Sequence, residues 1–268
     1  MKSRIAPTPS GYLHRGNAAN FALNSLLAPS GELLLRIDDL DRGRFREEYL
    51  ADIFKVLKWL GIQPTEGPRS PEDFHKNWSQ EHRLAEYQLA LDRLRKHPAI
   101  FACPCTRKQL SGGEHAHDCL NGNASLDAKG VAWRVNVRQL APVLLIPDMV
   151  SPEGFEVVPG EVIPDFVVRK KDGRPSYQLA CTVDDVLHGV THVGRGQDLL
   201  PSTAAQALLS DLLGYQSLFD RITFVHHPLL TEAGGEKLSK SAGAKGISEL
   251  METITSKEIF AQARKWLE

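Results

Sequence analysis

The chain has 268 residues, 42% hydrophobic and 24% charged, an ordinary balance for a globular enzyme with a sizeable core. A formal net charge of −1 excludes a global basic field, so any nucleic-acid contact must come from a local face. Four cysteines are too few for a secreted disulfide scaffold of this size, the N-terminus lacks the apolar core of a signal peptide, and no run approaches the ~18 apolar residues of a membrane span; together these predict a cytoplasmic protein with reduced thiols.

A short first strand at Arg4–Ala6 gives way to a Pro/Ser/Gly loop that ends at Leu13. Helical spacing of Ala18, Ala22 and Leu26 predicts a helix over Gly16–Leu27, and Leu33-Leu34-Leu35-Arg36-Ile37, apolar but for Arg36 and without alternation, predicts a strand covered on both faces. Leu50, Ile53, Leu57 and Leu60 form one stripe of a helix over Arg46–Leu60 that Gly61 stops. A further helix is expected over Glu81–His97. This order points to an α/β unit with parallel strands.

The pattern breaks at Phe101. From there to Pro164 the chain is rich in Cys, Gly and His at first, then alternates as an antiparallel strand over Val131–Val137, with short strands at Val143–Ile146 and Phe155–Val158. This stretch reads as an inserted β-containing subdomain. The α/β pattern then resumes with Asp165–Arg169, Tyr177–Val183 and Val186–Val193. A helix over Pro201–Leu213 follows, with Pro in its first turn and Gly214 after its end, then a strand at Ile222–Val225 and short helices over Ile247–Ile254 and Ser256–Leu267.

Two segments at opposite ends carry chemistry. Pro9-Ser10-Gly11-Tyr12-Leu13-His14-Arg15-Gly16-Asn17 places a turn and an imidazole at a helix N-terminus, where free backbone N–H groups suit phosphate. Glu236-Lys237-Leu238-Ser239-Lys240-Ser241 is a lysine loop between glycines, fit to close on leaving phosphates. The bland alternative for the first is a helix cap, and for the second a solvated lysine pair. Cys103-Pro104-Cys105 with Cys119 is a candidate zinc site, with His115 or His117 as the fourth ligand. The alternative is three reduced, buried thiols. Arg107, Lys108 and Arg169 to Lys171 are candidate phosphate contacts.

On these residues the chain resembles the class I aminoacyl-tRNA synthetases of the glutamyl type. Leu13-His14-Arg15-Gly16-Asn17 resembles their HIGH motif and Lys237-Leu238-Ser239-Lys240-Ser241 their KMSKS motif. Pro7 to Gly11, Leu35 to Asp41, Tyr177 to Ala180 with Val183 to Asp185, and Gly189 to Thr191 followed by Arg195 fall in family order. The resemblance implies a Rossmann-like α/β catalytic domain over 1–100 and 165–241, split by a zinc-bearing insertion over 101–164 and followed by a short helical tail over 242–268. It implies His14, Asn17 and Lys240 as catalytic residues, Gly16, Lys237 and Lys240 against ATP, and Arg4, Asp38, Tyr177 and Arg195 around glutamate. Asp198 falls near both substrates or caps the helix before Pro201. The implied metal set is Cys103, Cys105, His115 and Cys119, since His115 stands four residues before the last cysteine, where the family has Tyr. Mg²⁺ is implied with ATP.

Only 27 residues follow Ser241, where full glutamyl-tRNA synthetases carry a large anticodon-binding region. That and the Cys-rich insert resemble the branch that activates L-glutamate and attaches it to queuosine in the anticodon loop of tRNA(Asp). The expected partners are ATP, L-glutamate and queuosine-containing tRNA(Asp), with the chain acting as a monomer. Three departures stand out: Asn17 replaces a second His, Asp38 a Glu, and Cys181 an Asn. A truncated synthetase charging a tRNA 3′ end and a non-catalytic zinc-stabilised paralogue are the alternatives.

Overall fold

The computed structural model describes residues 1–29, 31–106, 108–110, 119–120, 124–140, 143–230 and 246–268, without the side chains of Lys108 and Leu250. In chain order the elements begin β1 (Ser3–Ile5), α1 (Arg15–Leu26), β2 (Leu33–Leu35), α2 (Glu47–Leu60), α3 (Pro71–Asp73) and α4 (Leu84–Leu94). The middle holds β3 (Ile100–Cys103), β4 (Ala132–Val135), β5 (Leu144–Ile146), β6 (Phe155–Val157) and β7 (Phe166–Arg169). The chain finishes with α5 (Tyr177–Leu187), β8 (His192–Gly196), α6 (Leu200–Leu213), α7 (Gln216–Phe219), β9 (Thr223–His227), α8 (Ile247–Leu250) and α9 (Ser256–Lys265).

Four strands form a parallel sheet in the order β2-β1-β8-β9. Its inner residues Ile5, Leu35, Val193 and Val225 are fully buried, as apolar runs covered on both faces require. This is the Rossmann-like α/β arrangement that the resemblance implies. Helix α2 buries Leu50, Ile53, Leu57 and Leu60 on the stripe read from the sequence. It ends at Gly61 in the left-handed conformation, φ 70°, which a glycine adopts without strain. At the sheet edge Gly67 approaches the Leu35 carbonyl so closely, at φ 111°, that a Cβ would sit 2.2 Å from the oxygen.

Several expectations differ from the structure: Val186–Val193 is divided between the end of α5 and the start of β8, and the Ile247–Ile254 helix ends at Leu250. The predicted Glu81–His97 helix starts as a 3-10 turn over Gln80–Arg83, because the Ser79 hydroxyl caps the Glu81 N–H before α4 begins. The segment Phe166–Arg169 does not join the parallel sheet. It pairs antiparallel with β4, which pairs antiparallel with β3, in a second sheet ordered β3-β4-β7. Side chains of this sheet share one hydrophobic cluster with α4, α5 and α6, so its strands pack against these helices. A second cluster joins α1, α2 and β2 to the C-terminal Ile259, Ala263 and Trp266. No helix among the described residues is long and apolar enough to cross a membrane.

Candidate active site

The loop before α1 is fixed by Asp52 of α2, whose Oδ2 accepts the Leu13 N–H at 2.8 Å. Its other oxygen accepts the Ser248 hydroxyl at 2.7 Å, and Ile247 N–H donates to the Leu13 carbonyl, so α8 is anchored to the same loop. His14 is the N-cap of α1. Its Nδ1 accepts the Gly16 N–H at 3.1 Å, and Asn17 Oδ1 accepts the His14 N–H at 3.0 Å. The capping alternative is therefore true of both side chains, and it has a chemical consequence. An Nδ1 that accepts leaves the proton of a neutral imidazole on Nε2, which makes Nε2 the donor. His14, Gly16 and Asn17 all line a cleft of about 610 Å³ that also holds Arg4, Tyr177, Arg195 and Asp198.

Beside this cleft lies a buried charge cluster. Arg36 forks onto both oxygens of Asp38 at 2.7 and 3.0 Å, bonds Asp185, and lies 3.2 Å from Cys181 Sγ. Arg4 donates through Nε to Asp185 at 3.1 Å. Arg83 forks onto Asp184 at 2.9 and 3.0 Å, where Tyr87 and Gln80 also donate. With Arg195, four guanidinium groups face the three carboxylates of Asp38, Asp184 and Asp185, all at least nine-tenths buried. One positive charge is in excess, which suits a ligand of net charge −1.

Electrostatics follow that arrangement. Burial acts to raise the Asp185 carboxyl, yet Arg4, Arg36 and Arg195 hold it below the usual carboxylate range. Burial lifts Asp38 above that range against the pull of Arg36. Burial likewise lowers Arg195 from the ordinary arginine value, raises the Tyr177 phenol, and pushes the Cys181 thiol up to about 12. Tyr177 as a residue is 43% exposed, so the shift belongs to its hydroxyl, which lies among Cys181, Arg195, Asp38 and Arg4.

Arg4, Asp38, Tyr177 and Arg195 come together from β1, the β2 exit, the α5 N-terminus and β8. Their availability differs. Asp38 has both oxygens on Arg36 and is less open to an ammonium group than the sequence suggests. Arg195 has its Nε buried with no hydrogen-bond partner, a donor waiting for an acceptor. Arg36, Asp184 and Asp185 were not among the expected site residues; Asp184 pairs with Arg83 across 101 positions and Asp185 with Arg36 across 149. Asp39, expected as a charged corner, is a buried anchor that accepts from Ser79, the Gln80 N–H and Arg42. Asp198 lines the cleft over Gly196, where a Cβ would come 2.5 Å from its Oδ1. Lys237 and Lys240 lie outside the described residues, as do Arg107, His115 and His117.

A second cleft of about 710 Å³ shares Thr8, Arg44 and Tyr177 with the first. Asp38, Gln80 and Ala180 form its inner wall, and Cys105, Thr106, Arg134, Lys170 and Lys171 its outer one. Behind that outer wall Cys103, Cys105 and Cys119 are buried with their sulfur atoms within 4.8 Å of one another. The Cys105–Cys119 and Cys103–Cys119 separations are 3.6 and 3.8 Å. A tetrahedron with Zn–S bonds of about 2.3 Å has an edge of about 3.8 Å, so the donor set fits zinc. Burial and the two neighbouring thiols push Cys119 up to about 12, a state that a bound cation would reverse.

Known proteins share this arrangement. The family model for the catalytic domain of class I tRNA synthetases (E and Q) matches residues 1–136 and 148–253. The chain is 36% identical over 260 residues to a glutamyl-Q tRNA(Asp) synthetase of Nitratidesulfovibrio vulgaris, covering 90% of this chain and 78% of that one. It is 32% identical over 264 residues to a glutamate–tRNA ligase of Leptospira biflexa, covering 92% of this chain but 50% of the relative. A crystal structure of the glutamate-tRNA synthetase from Elizabethkingia anophelis superposes with a TM-score of 0.72 at 26% identity, over 91% of this chain and 53% of that one. The parallel sheet, the capped His14 helix and a match that runs through both cleft walls lead to one assignment: the chain belongs to the class I (E and Q) tRNA synthetase catalytic-domain family.

Proposed function

We propose that this chain activates L-glutamate with ATP and transfers the glutamyl group to a hydroxyl of queuosine in the anticodon loop of tRNA(Asp). The observation that carries the first half is Arg195, with its buried, unpartnered Nε in a cleft that also holds His14. Glutamate has net charge −1, matching the single excess positive charge of the cluster. Arg4 and Arg195 face its carboxylates, Tyr177 closes over it, and Asp38 shapes the ammonium end.

In the activation step a glutamate α-carboxylate oxygen attacks the α-phosphorus of ATP. The bond from that phosphorus to the bridging oxygen breaks, and pyrophosphate leaves. Negative charge grows on the phosphoryl oxygens, and the His14 Nε2–H, the Asn17 amide and Lys240 are the donors proposed to meet it. Gly16 lets the chain approach the phosphates, Lys237 steadies them, and Mg²⁺ enters as part of the ATP substrate. In the transfer step a queuosine hydroxyl attacks the glutamyl carbonyl and AMP leaves. No protein nucleophile is required, because the mixed anhydride is already activated; catalysis is positioning and charge stabilisation.

The name of the Nitratidesulfovibrio relative, of which the chain covers 78%, supports queuosine-bearing tRNA(Asp) as acceptor. So does the second cleft, which opens beside Tyr177 and carries Arg134, Lys170 and Lys171 for a polyanion. In this reading 1–100 and 165–241 activate glutamate, 101–164 presents the acceptor, and 242–268 braces the catalytic core. Zinc bound by Cys103, Cys105, Cys119 and His115 would hold the outer wall in place. The chain is proposed to act as a monomer in the cytoplasm.

Glutamate-dependent ATP–pyrophosphate exchange, run across the amino acids without tRNA, tests the activation step. Exchange with L-glutamate above all others is the expected result; exchange with none, or with another acid, overturns it. A separate expectation concerns the metal. Cys119→Ser should remove one equivalent of zinc by elemental analysis and lower transfer to tRNA about tenfold while exchange falls less than about threefold, because the cluster walls only the second cleft.

A further inference from the structure

Arg195 is held at one end of its guanidinium group. Nη1 donates to Thr203 Oγ1 and to Gln206 Oε1, each at 3.0 Å. Thr203 Oγ1 lies 2.8 Å from His226 Nε2, and His226 Nδ1 lies 2.8 Å from Asp148 Oδ2. Arg195, Thr203, His226 and Asp148 are all buried. A carboxylate only accepts, so His226 carries its proton on Nδ1, and Nε2 of the neutral ring accepts from the Thr203 hydroxyl. The Leu199 carbonyl, 3.2 Å from the same hydroxyl, is the longer alternative. The hydroxyl oxygen in turn accepts from Arg195. Every donor then points the same way, from guanidinium to carboxylate, a polarity in which each bond strengthens the next.

Asp148 is itself locked. Its Oδ2 also accepts the His226 N–H at 2.8 Å and its Oδ1 the Val150 N–H at 3.0 Å. The His226 ring is gripped edge-on by Phe155 at 5.7 Å and face-on by Phe224 at 5.5 Å. Asp148 and Phe155 both belong to the hairpin formed by β5 and β6, so the inserted segment reaches the back of the amino-acid pocket.

We propose that Asp148, His226 and Thr203 are positioning residues for amino-acid binding. By fixing Nη1 they leave Nε and Nη2, the parallel donor pair that forks a carboxylate side-on, as the edge of Arg195 offered to substrate. The buried, unpartnered Nε is what such a site looks like without its ligand. The inference rests on the reading above that glutamate binds at Arg195.

The test compares the KM for glutamate and for ATP in pyrophosphate exchange across the wild type, Thr203→Val, Thr203→Ser, Asp148→Asn and Arg195→Lys. Thr203→Val should raise the glutamate KM about tenfold and leave the ATP KM within about twofold, Thr203→Ser should restore it, and Asp148→Asn should raise it about threefold. Thermal melting of Thr203→Val alongside the wild type separates positioning from unfolding. A glutamate KM unchanged in both Thr203→Val and Asp148→Asn, or glutamate and ATP KM values that rise together, overturns the relay. If Arg195→Lys costs glutamate affinity while those two do not, the relay alone falls. If Arg195→Lys leaves the glutamate KM unchanged, the placement of glutamate at Arg195 falls and takes the relay with it.

Discussion

Asp184→Asn should destabilise the fold by about 3–5 kcal/mol, the usual consequence of breaking a buried, hydrogen-bonded ion pair from one side. Asp184 is fully buried and accepts from Arg83 at two positions, from Tyr87 and from Gln80. An asparagine keeps the shape but turns one acceptor into a donor facing the Arg83 and Gln80 donors. It also leaves the Arg83 charge without its counter-ion, with Arg36 Nε 3.9 Å from the same site. The Arg83–Asp184 fork ties the turn before α4 to α5, which carries Tyr177. The loss is therefore expected both as a fall of about 10 °C in Tm and as weaker glutamate binding. A variant that melts within about 2 °C of the wild type would contradict this account of the cluster.

His14→Asn should lower the rate of glutamate-dependent exchange about 100-fold and leave stability within about 0.5 kcal/mol. Asparagine is a good N-cap and can accept the Gly16 N–H as His14 Nδ1 does, so the helix keeps its start. What disappears is the Nε2–H, the donor proposed for the α-phosphoryl group. His14→Ala, by contrast, should lose both the rate and the cap. Equal rates in His14→Asn and the wild type would reduce His14 to a cap and move phosphate recognition to the lysine loop and the backbone.

Local pattern made much of this architecture legible. The α2 stripe ending at Gly61 and the Pro201 to Gly214 boundaries of α6 follow from spacing and from residues with one strong conformational preference. The strand expected over Leu33–Ile37 likewise lies in the parallel sheet, though it is regular only over Leu33–Leu35. The motif at Leu13 to Asn17 was also legible as a helix start, and the structure places its His14, Gly16 and Asn17 along the first cleft. Long-range pairing was not. Arg36 forks onto Asp38 two residues away, yet it also reaches Asp185 across 149 positions, which nothing local announces. The strand at Phe166–Arg169 has no local feature that tells parallel from antiparallel pairing; only its partner β4 decides. Asp148 and His226, which no sequence motif joins, meet at 2.8 Å across 78 positions.

The departures from the family pattern gain physical meaning here. Cys181 sits against Arg36 and Asp38, at 3.2 and 3.6 Å, so it lies within the charge cluster rather than merely packed in the core. Asp38 has both oxygens taken up by Arg36, which in the proposed function shifts the weight of glutamate recognition toward Arg4, Tyr177 and Arg195. Asn17 keeps one oxygen on the His14 N–H and contributes an uncharged donor where a second imidazole would bring a titratable one.

The central claim is most directly tested by incubating the purified chain with ATP, radiolabelled L-glutamate and either tRNA(Asp) carrying queuosine, tRNA(Asp) lacking it, or tRNA(Glu). The account predicts label on queuosine-containing tRNA(Asp) alone, retained after the 3′ end is removed by nuclease. Label on the 3′ end of tRNA(Glu), or on tRNA(Asp) regardless of queuosine, would contradict it.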